Sequence, residues 1–382
     1  MTNIFQFPTY VVPPEAEALR CEVRDFLDEA LANRSPAERA QSWTGADPDF
    51  SRALGARGWI GMTWPARYGG GERSGLERYV VIEELLAAGA PVAAHWFADR
   101  QSGPNLLKFG TEAQRASILP RIARGECYFC VGMSEPNVGS DLAGVQTRAV
   151  RTPAGYRISG TKLWTTNAHL AHYMILLART DQDAVRHAGL SQFLIDMRTP
   201  GIEVRPIHVP TGEHHFNEVV LSDVEVPADA LLGNEGDGWM QVMSELAYER
   251  SGPERFLSSF ELLAQFGRVA GENPSEAAAQ LIGRSAAHIV SLRRMSQSVA
   301  GALAAGEDPS LQAAIVKDLG AVFEQDLPEA VRSVTGFGTG DAADADYIET
   351  LAYTMLLAPS FSLRGGTREI LRGIIARGLG IR

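Results

Sequence analysis

The sequence predicts an α+β protein that is mainly α, with helical segments on both sides of a middle β segment. Residues 14 to about 126 and the stretch from Gly238 to the end carry apolar residues at helical spacing. Residues 127 to about 233 instead contain short apolar runs separated by turn residues. The length of 382 residues suggests two or three domains. We therefore predict three domains, at residues 1–126, 127–235 and 236–382.

The first domain carries clear helix signals. Pro14 suits the first turn of a helix, where its missing N–H would be unpaired in any case. The apolar residues that follow recur at helical spacing: Leu19, Val23, Phe26, Leu27, Ala30 and Leu31. Thr111 followed by Gln114 has the form of a capping box, which predicts a helix running toward Arg124. Another helix is predicted from about Leu76 to Ala88.

The middle domain changes to a β pattern. Residues 173–180 (YMILLART) form the nearly continuous apolar run that is typical of a buried strand. Turn residues separate the strand-like segments: Thr152-Pro153-Ala154-Gly155, Pro210-Thr211-Gly212 and Val226-Pro227. In the third domain, residues 302–310 (ALAAGEDPS) predict a loop between two long helices.

The composition excludes several classes of protein. Lys and Arg number 35 against 46 Asp and Glu, so the net charge of −11 argues against bulk nucleic-acid binding. With 45% hydrophobic residues a sizeable core is expected rather than disorder. No apolar stretch approaches the roughly 18 residues that a membrane helix needs, and the N-terminus lacks a secretory pattern. We therefore expect a cytoplasmic protein with no membrane partner.

The sequence carries few of the general catalytic and metal-binding motifs. The chain has no phosphate-binding loop motif and no paired C-x-x-C or H-E-x-x-H metal pattern, so no metal is expected. His214-His215 lacks a third ligand at metal spacing and is interpreted as a surface pair of a hairpin. Cys127 and Cys130 lie in an apolar, strand-like run, so a buried structural role is favoured over a redox role. The glycines of residues 336–340 follow no strand, which makes a dinucleotide-binding interpretation weak.

Two central motifs are more informative. Residues 133–141 (MSEPNVGSD) and 160–167 (GTKLWTTN) resemble the two flavin- and substrate-binding signatures of the acyl-CoA dehydrogenase family. Further segments resemble that family in the same order: residues 65–70, 216–218, 226–227, 232–233 and 366–372. The resemblance implies an N-terminal helical domain, a middle β-barrel, a C-terminal four-helix bundle and an FAD cofactor.

The resemblance also implies roles for individual residues. Met133 and Ser134 would contact the pyrimidine side of the flavin, and Ser140 would meet both the cofactor and the acyl-CoA chain. Trp164, Thr165 and Thr166 would back the far face of the ring and reach N5, and Thr367 and Glu369 would form the closing flavin contact. Short hydroxyls and backbone N–H groups suit this task because they bond the ring edge without covering the substrate face. In isolation, a turn at Glu135-Pro136 and a core aromatic at Trp164 would be the simpler interpretations.

The chain departs from the family pattern at the position of the catalytic base. Family members remove the α-proton with a glutamate while the β-hydrogen leaves as a hydride to flavin N5. In most of them that glutamate directly precedes the Gly-Thr of the closing motif, where this chain has Gly365. A glycine cannot act as a base. A second location known in the family, on the first long helix of the C-terminal domain and ahead of an arginine, matches Glu249-Arg250.

The resemblance therefore implies Glu249 as the catalytic base, with Arg250 and Gly365 at the substrate thioester. A solvated helix pair of Glu245 and Glu249 is the alternative, although like charges at this spacing repel slightly. Gly252-Pro253 predicts a break in the helix just beyond. Glu254 would be the next candidate for the base.

The implied reaction is FAD-dependent α,β-dehydrogenation of an acyl-CoA thioester to the trans-2-enoyl-CoA, with an electron-transfer-flavoprotein-like acceptor. Residues 249–256 and 212–218 resemble the subunits that actinobacteria use on steroid side-chain CoA esters, which implies a bulky or branched acyl group. Two alternatives stay open. One is a non-catalytic subunit that completes a partner's flavin site, and the other is a flavin oxidase on the same fold.

The oligomeric state is a further expectation. In homotetrameric relatives the neighbouring chain supplies an Arg-x-x-Phe-Gly stretch and a Gln-x-x-Gly-Gly-x-Gly loop to each FAD. Residues 272–277 (ENPSEA) and 332–338 (RSVTGFG) keep neither pattern. We therefore expect a hetero-oligomer with a related subunit, with a homodimer or homotetramer as the alternative.

Overall fold

The computed structural model describes residues 6–335 and 344–381, without the side chains of residues 245–249. Its α-helices, numbered in chain order, are α1 Pro14–Ala30, α2 Pro36–Ala40, α3 Pro48–Ala56, α4 Gly75–Ala87, α5 Ala93–Phe97, α6 Gly103–Phe109, α7 Glu112–Ala123, α8 Gly238–Glu249, α9 Phe260–Ala270, α10 Glu276–Ala304, α11 Ser310–Thr335, α12 Ala345–Leu357 and α13 Arg368–Gly378. The strands are β1 Phe129–Gly132, β2 Arg148–Thr152, β3 Gly155–Lys162, β4 Tyr173–Arg179, β5 Leu190–Asp196, β6 Ile202–His208, β7 His214–Pro227 and β8 Leu231–Leu232. The predicted mainly α class with a middle sheet is confirmed.

Contacts along the chain define two compact units, each discontinuous in sequence. The helical unit comprises Met1–Gly45, Arg73–Val92 and Glu249–Arg382. The sheet unit comprises Ala46–Glu72 and Ala93–Tyr248. The three predicted domains at 1–126, 127–235 and 236–382 are continuous segments, so they do not correspond one to one to these two units. Their boundaries stay a prediction.

The sheet unit contains one sheet with the strand order β6-β7-β3-β2-β4-β5-β8, and β1 pairs with β4 as a side branch. The β1–β4 and β2–β4 pairs are parallel, and the other pairs are antiparallel. Within the described residues no ladder joins β6 to β8, so the expected barrel is instead an open sheet with two ends.

The core of the sheet unit forms around β4, whose five central residues are all buried. Met174, Leu176 and Ala178 pack with Phe193 of β5 and with Cys130 of β1. Burial on both faces explains why this strand reads as a continuous apolar run rather than an alternating one.

Both cysteines of the C-x-x-C sequence have a structural role, as predicted. Cys127 and Cys130 are unbridged and buried. Burial raises the pKa of the Cys127 thiol to about 11, and it also raises the pKa of Cys130. Because thiolate is the reactive form, these thiols are poor nucleophiles.

In the helical unit, ion pairs join three helices. Glu83 of α4 accepts hydrogen bonds from Arg20 of α1 at 2.9 Å and from Arg293 of α10 at 2.6 Å.

The loop predicted near residues 302–310 lies between the end of α10 at Ala304 and the start of α11 at Ser310. The predicted capping box is present on α7 of the sheet unit, where Thr111 and Gln114 each accept a backbone N–H of the other. Among the described helices, none is long and apolar enough to span a membrane.

Candidate active site

The first signature motif forms a tight loop after β1. Glu135 and Val138 exchange two backbone hydrogen bonds, of 2.8 Å and 3.0 Å, across Pro136 and Asn137. The turn that Glu135-Pro136 favours when considered in isolation is present. This turn brings the Glu135 carboxylate inward, and it leaves Met133 and Ser134 half-buried at the loop's start.

A buried ion pair fixes this loop to β3. Lys162, at the end of β3, is fully buried, and its Nζ lies 2.9 Å from Glu135 Oε1 and 3.1 Å from the Met133 carbonyl oxygen. The Glu135 carboxylate also accepts hydrogen bonds from the backbone N–H groups of Gln146 and Thr147. Both carboxylate oxygens of Glu135 therefore accept hydrogen bonds, which is the condition under which a buried ion pair is tolerated.

The electrostatics of the pair follow from its burial. Removal from water disfavours the charged ammonium and lowers the pKa of Lys162 to about 8, although Glu135 acts in the opposite direction. Burial also works to raise the pKa of Glu135. The Lys162 charge and the hydrogen bonds from Thr147 and Gln146 outweigh that effect, so the pKa lies below its ordinary value.

The second signature motif follows directly on Lys162. The Leu163 N–H donates to the Ser134 carbonyl at 2.9 Å, which joins the two signature segments by their backbones. Trp164 has a positive φ of 60°, and its side chain is exposed at 55%. Its ring meets the ring of Phe216 edge to face, with centroids 5.8 Å apart. The interpretation of Trp164 as a core aromatic is therefore wrong.

The residues of the second motif suit a flavin ring. The exposed Trp164 indole offers a flat apolar surface beside two threonines. The Oγ1 atom of Thr165 is buried and has no hydrogen-bond partner within residues 6–335 and 344–381. An unpaired buried hydroxyl next to an exposed aromatic face fits a ligand that stacks on the indole and bonds through ring heteroatoms. Ser140 of the first motif is exposed beside the Asp141–Arg186 ion pair.

The predicted base position lies in the helical unit. Helix α8 ends at Glu249, whose side chain lies outside the described part of the chain, as does that of Glu245. The predicted helix break is confirmed, because Pro253 begins a short 3₁₀ turn. Arg250 is buried, and its Nε donates to the carbonyl oxygen of Gly365 at 3.2 Å, a contact between residues 115 positions apart.

The closing motif begins the last helix. Gly365 and Gly366 have φ of +67° and +95°, a region that residues with a side chain rarely adopt. Thr367 occupies the N-cap position of α13, and Glu369 is exposed in its first turn. Hydrogen bonds from its own backbone N–H and from Thr367 lower the pKa of Glu369.

A buried charge cluster, which was not predicted from the sequence, includes the residue directly before Gly365. Arg364 donates to Glu324 Oε2 at 2.8 Å and to Ser258 Oγ at 2.7 Å. Its guanidinium centre lies 4.5 Å from the ring centroid of Trp43 and 4.7 Å from that of Phe361. Burial lowers the pKa of Arg364 to about 10 and raises that of Glu324.

The alternative base, Glu254, lies in this same cluster. Its backbone carbonyl accepts a hydrogen bond from Arg364, and its side chain is 1% exposed. The Glu254 Oε1 atom lies 3.2 Å from Nε of Arg255. The Glu254 carboxylate is therefore paired with a neighbouring buried cation.

In the part of the chain that the structure describes, no three or more His, Cys, Asp and Glu side chains are arranged to hold a metal ion. The sheet unit therefore carries a flavin-compatible surface, and the helical unit carries a glycine turn with a buried arginine.

Comparison with known proteins agrees with this description. The families "Acyl-CoA dehydrogenase, N-terminal domain" and "Acyl-CoA dehydrogenase, middle domain" match residues 13–126 and 130–224. FadE29, an acyl-CoA dehydrogenase of Mycobacterium tuberculosis, is 32% identical over 95% of this chain and 96% of its own length. FadE34 of the same organism is 34% identical over 92% of this chain, which spans about half (49%) of that relative.

Solved structures give the same result. The Tcur3481-Tcur3483 steroid ACAD has a TM-score of 0.87 and 26% identity over 99% of this chain and 100% of its own. The ChsE4-ChsE5 complex from M. tuberculosis has a TM-score of 0.84 and 26% identity over 98% of this chain and 100% of its own.

The fold and the flavin-compatible loops together define a flavin-dependent oxidoreductase that acts on acyl thioesters. The chain belongs to the acyl-CoA dehydrogenase family, and its cofactor is FAD.

Proposed function

We propose that this protein dehydrogenates a bulky or α-branched acyl-CoA between Cα and Cβ, with Glu249 as the base. The observation that carries the proposal is the hydrogen bond from Arg250 Nε to the Gly365 carbonyl. It makes the residue after Glu249 a direct neighbour of the turn where most of the family carries its glutamate. A carboxylate at the end of α8 can therefore take over the task that Gly365 cannot perform.

Each group of residues in the chain would have a distinct role. Met133, Ser134, Trp164, Thr165 and Thr166 would hold the flavin ring, and Thr367, Glu369 and Ser140 would add further contacts. Bound FAD supplies the hydride acceptor. Glu249 would remove the α-proton, and the buried Arg250 guanidinium would keep the thioester end of the substrate oriented. Backbone donors near Gly365 would polarise the thioester carbonyl and make the α-proton more acidic.

The preference for a large acyl group follows from the missing side chain at position 365. Without a glutamate there, no side chain at position 365 limits the acyl group. The adjacent Gly366 also has room, since an added Cβ would lie 3.6 Å from the nearest atom, Arg250 Nη2. The similarity to a structure described as a steroid ACAD supports a bulky substrate for this chain.

We also propose a hetero-oligomer with a related subunit and an electron-transfer-flavoprotein-like acceptor. Residues 272–277 lead into α10, whose N-cap is Ser275, and they offer none of the residues of the family's Arg-x-x-Phe-Gly stretch. Arg332 takes the place of the family's Gln, and its guanidinium is already paired with Glu329. Gly336, Phe337 and Gly338 of the second element lie outside the described residues. The ChsE4-ChsE5 complex shows that a similar chain can occur in a complex.

A panel of acyl-CoA esters from short linear to steroid-sized, assayed anaerobically with an external electron acceptor, tests the function. Turnover that is highest on bulky esters supports the proposal. Higher kcat/KM on butyryl- or octanoyl-CoA would overturn the substrate preference. Turnover only with oxygen would favour a flavin oxidase, and a complex in which only the related subunit binds flavin would favour a non-catalytic subunit.

A further inference from the structure

The loop that carries Trp164 has an unusual backbone. Trp164 and Asn167 both have positive φ, of 60° and 52°, although neither is a glycine. Two such residues within four positions are a strained arrangement that persists only where the surroundings hold it. The contacts of this loop therefore show what keeps the indole in place.

One buried residue, Asn217 of β7, holds the centre of the loop. Its backbone carbonyl accepts the Thr165 N–H at 3.0 Å, and its side-chain Nδ2 donates to the Thr165 carbonyl at 3.0 Å. The neighbouring His215 carbonyl accepts the Asn167 N–H at 2.8 Å. Thr165 is thus held by both of its backbone groups, between the two strained positions.

The amide of Asn217 also contacts two histidines. Its Oδ1 lies 2.7 Å from Nε2 of His214, and its Nδ2 lies 3.3 Å from Nδ1 of His169. The two imidazoles are stacked, with centroids 3.9 Å apart and planes 20° from parallel. The expectation that His214 belongs to a simple surface pair therefore missed its partner, which comes from a loop 45 residues earlier in the sequence.

The hydrogen bonds specify the protonation state of His169. Nδ2 of Asn217 must donate to the Thr165 carbonyl, so the amide orientation is determined and Nδ2 faces His169 as a donor. Nδ1 of His169 must then accept, which requires a neutral ring that carries its proton on Nε2. His214 donates from Nε2 to the amide oxygen.

We propose that Asn217, His169 and His214 form a protonation-sensitive positioning unit for the Trp164–Asn167 loop. With His169 neutral, the unit holds the loop in its strained conformation. A proton on His169 Nδ1 would face the amide Nδ2–H₂ group and would add a positive charge against the His214 ring. The hydrogen bond from Asn217 Nδ2 to the Thr165 carbonyl then weakens, and the Trp164 indole moves. The consequence for the flavin rests on the proposed contact between flavin and Trp164.

Other titratable groups around the pair favour the neutral ring. His208 of β6 lies with its ring centroid 5.6 Å from that of His214, and His215 of β7 lies next to it in sequence. The Glu213 carboxylate is also nearby in sequence, but it bonds Nε2 of His215 at 2.8 Å rather than a ring of the stacked His169–His214 pair. Burial lowers the pKa of His169, and the charges that His214 and His215 can carry lower it further, while the hydrogen bond to Asn217 acts in the opposite direction.

Hydrogen exchange of the loop amides, followed by mass spectrometry on the FAD-loaded protein, tests the positioning unit without relying on activity. After correction for intrinsic exchange, the Leu163–Asn167 peptide should exchange roughly tenfold faster at about pH 5 than at about pH 8. His169→Phe keeps a stacked ring that cannot titrate, so the pH-dependent step should disappear. His187→Phe is the matched control, because the His187 ring packs at a tilt against Trp239 rather than against the stacked pair, and it should retain the step.

Visible circular dichroism of the bound flavin provides the second readout. The wild-type signal should change over the same pH range, and Asn217→Ala should give the acid-type signal already at neutral pH. A step in loop exchange that persists unchanged in His169→Phe would overturn the positioning unit. Trp164→Phe separates the two proposals, because an unchanged flavin signal in that variant would overturn the flavin placement, while the exchange result still decides the role of Asn217 and the histidines.

Discussion

Lys162 Nζ and Glu135 Oε1 lie 2.9 Å apart in a pair that water barely reaches, and this pair joins the two signature motifs of the chain. One partner ends β3 immediately before the Trp164 loop, and the other closes the loop that begins with Met133 and Ser134. The pair therefore sets the separation of the two segments proposed to hold the flavin ring, although neither charged group belongs to the proposed contact surface.

We expect Lys162→Met to destabilise the protein by about 3 to 5 kcal/mol, because it leaves the Glu135 carboxylate buried without its counter-charge. Urea unfolding followed by tryptophan fluorescence measures the change. Arg157→Met is the matched control on the same strand. Arg157 pairs with Glu225 at 2.8 Å, but both side chains are more than half exposed, so its loss should cost at most about 1 kcal/mol. Equal losses in the two variants would contradict a special role of the buried pair.

The same pair gives a pH dependence with a definite sign. The folded-state pKa of Lys162, about 8, lies below its ordinary value of 10.5. Between these values the unfolded chain binds more protons than the folded chain, so the free energy of unfolding rises with pH. The stability difference between wild type and Lys162→Met should grow by at most about 1.4 kcal/mol per pH unit from pH 8 to 10. Unfolding curves at several pH values check this, and a difference that shrinks over the range would contradict the assignment.

Glu249→Gln should keep a folded, flavin-loaded protein and lose at least ~10²-fold in kcat, which is the lower bound for removal of a positioned base. Glu254→Gln is the comparison variant. Because Glu254 is buried beside Arg255, its substitution should lower the free energy of unfolding more than it lowers kcat. Anaerobic turnover and urea unfolding measure both quantities. Normal turnover in Glu249→Gln together with a large loss in Glu254→Gln would transfer the role of base to Glu254.

Gly365→Ala should lower kcat/KM for a steroid-sized acyl-CoA by about tenfold or more relative to a short linear ester, because the added methyl group occupies substrate space. Gly366→Ala is the matched control. It also places alanine at a positive φ, but among the described residues its methyl group would meet Arg250 and Leu371 at ordinary contact distances. Equal losses on both esters in Gly365→Ala would instead indicate backbone strain as the cause.

The chain expressed alone should contain well below one FAD per chain. Co-expression with a related subunit that retains the Arg-x-x-Phe-Gly and Gln-x-x-Gly-Gly-x-Gly elements should raise this to about one FAD per two chains. Flavin absorbance and the mass of the purified complex measure the ratio. A chain that purifies alone with one FAD per subunit and full activity would rule out the proposed hetero-oligomer.

Several local elements could be predicted because their signals are local. The α7 capping box involves residues three positions apart, and the β4 run needs only its own apolar residues. The change from glutamate to Gly365 was also visible, because it lies within a short motif. The open ends of the sheet were not predictable in this way, since they depend on the pairing of strands that are far apart in the sequence.

Signals within the sequence were enough to establish the order of helical and β segments, the family, the cofactor and the absence of a base at position 365. Three contacts emerge only from the folded chain: Arg250 bonds the Gly365 carbonyl, Lys162 is buried on Glu135, and Asn217 joins the Trp164 loop to two stacked histidines. The two sets of features differ in range. Propensity, capping and turn preference act over a few residues, whereas burial and hydrogen-bond satisfaction depend on groups that the fold brings together from distant parts of the chain.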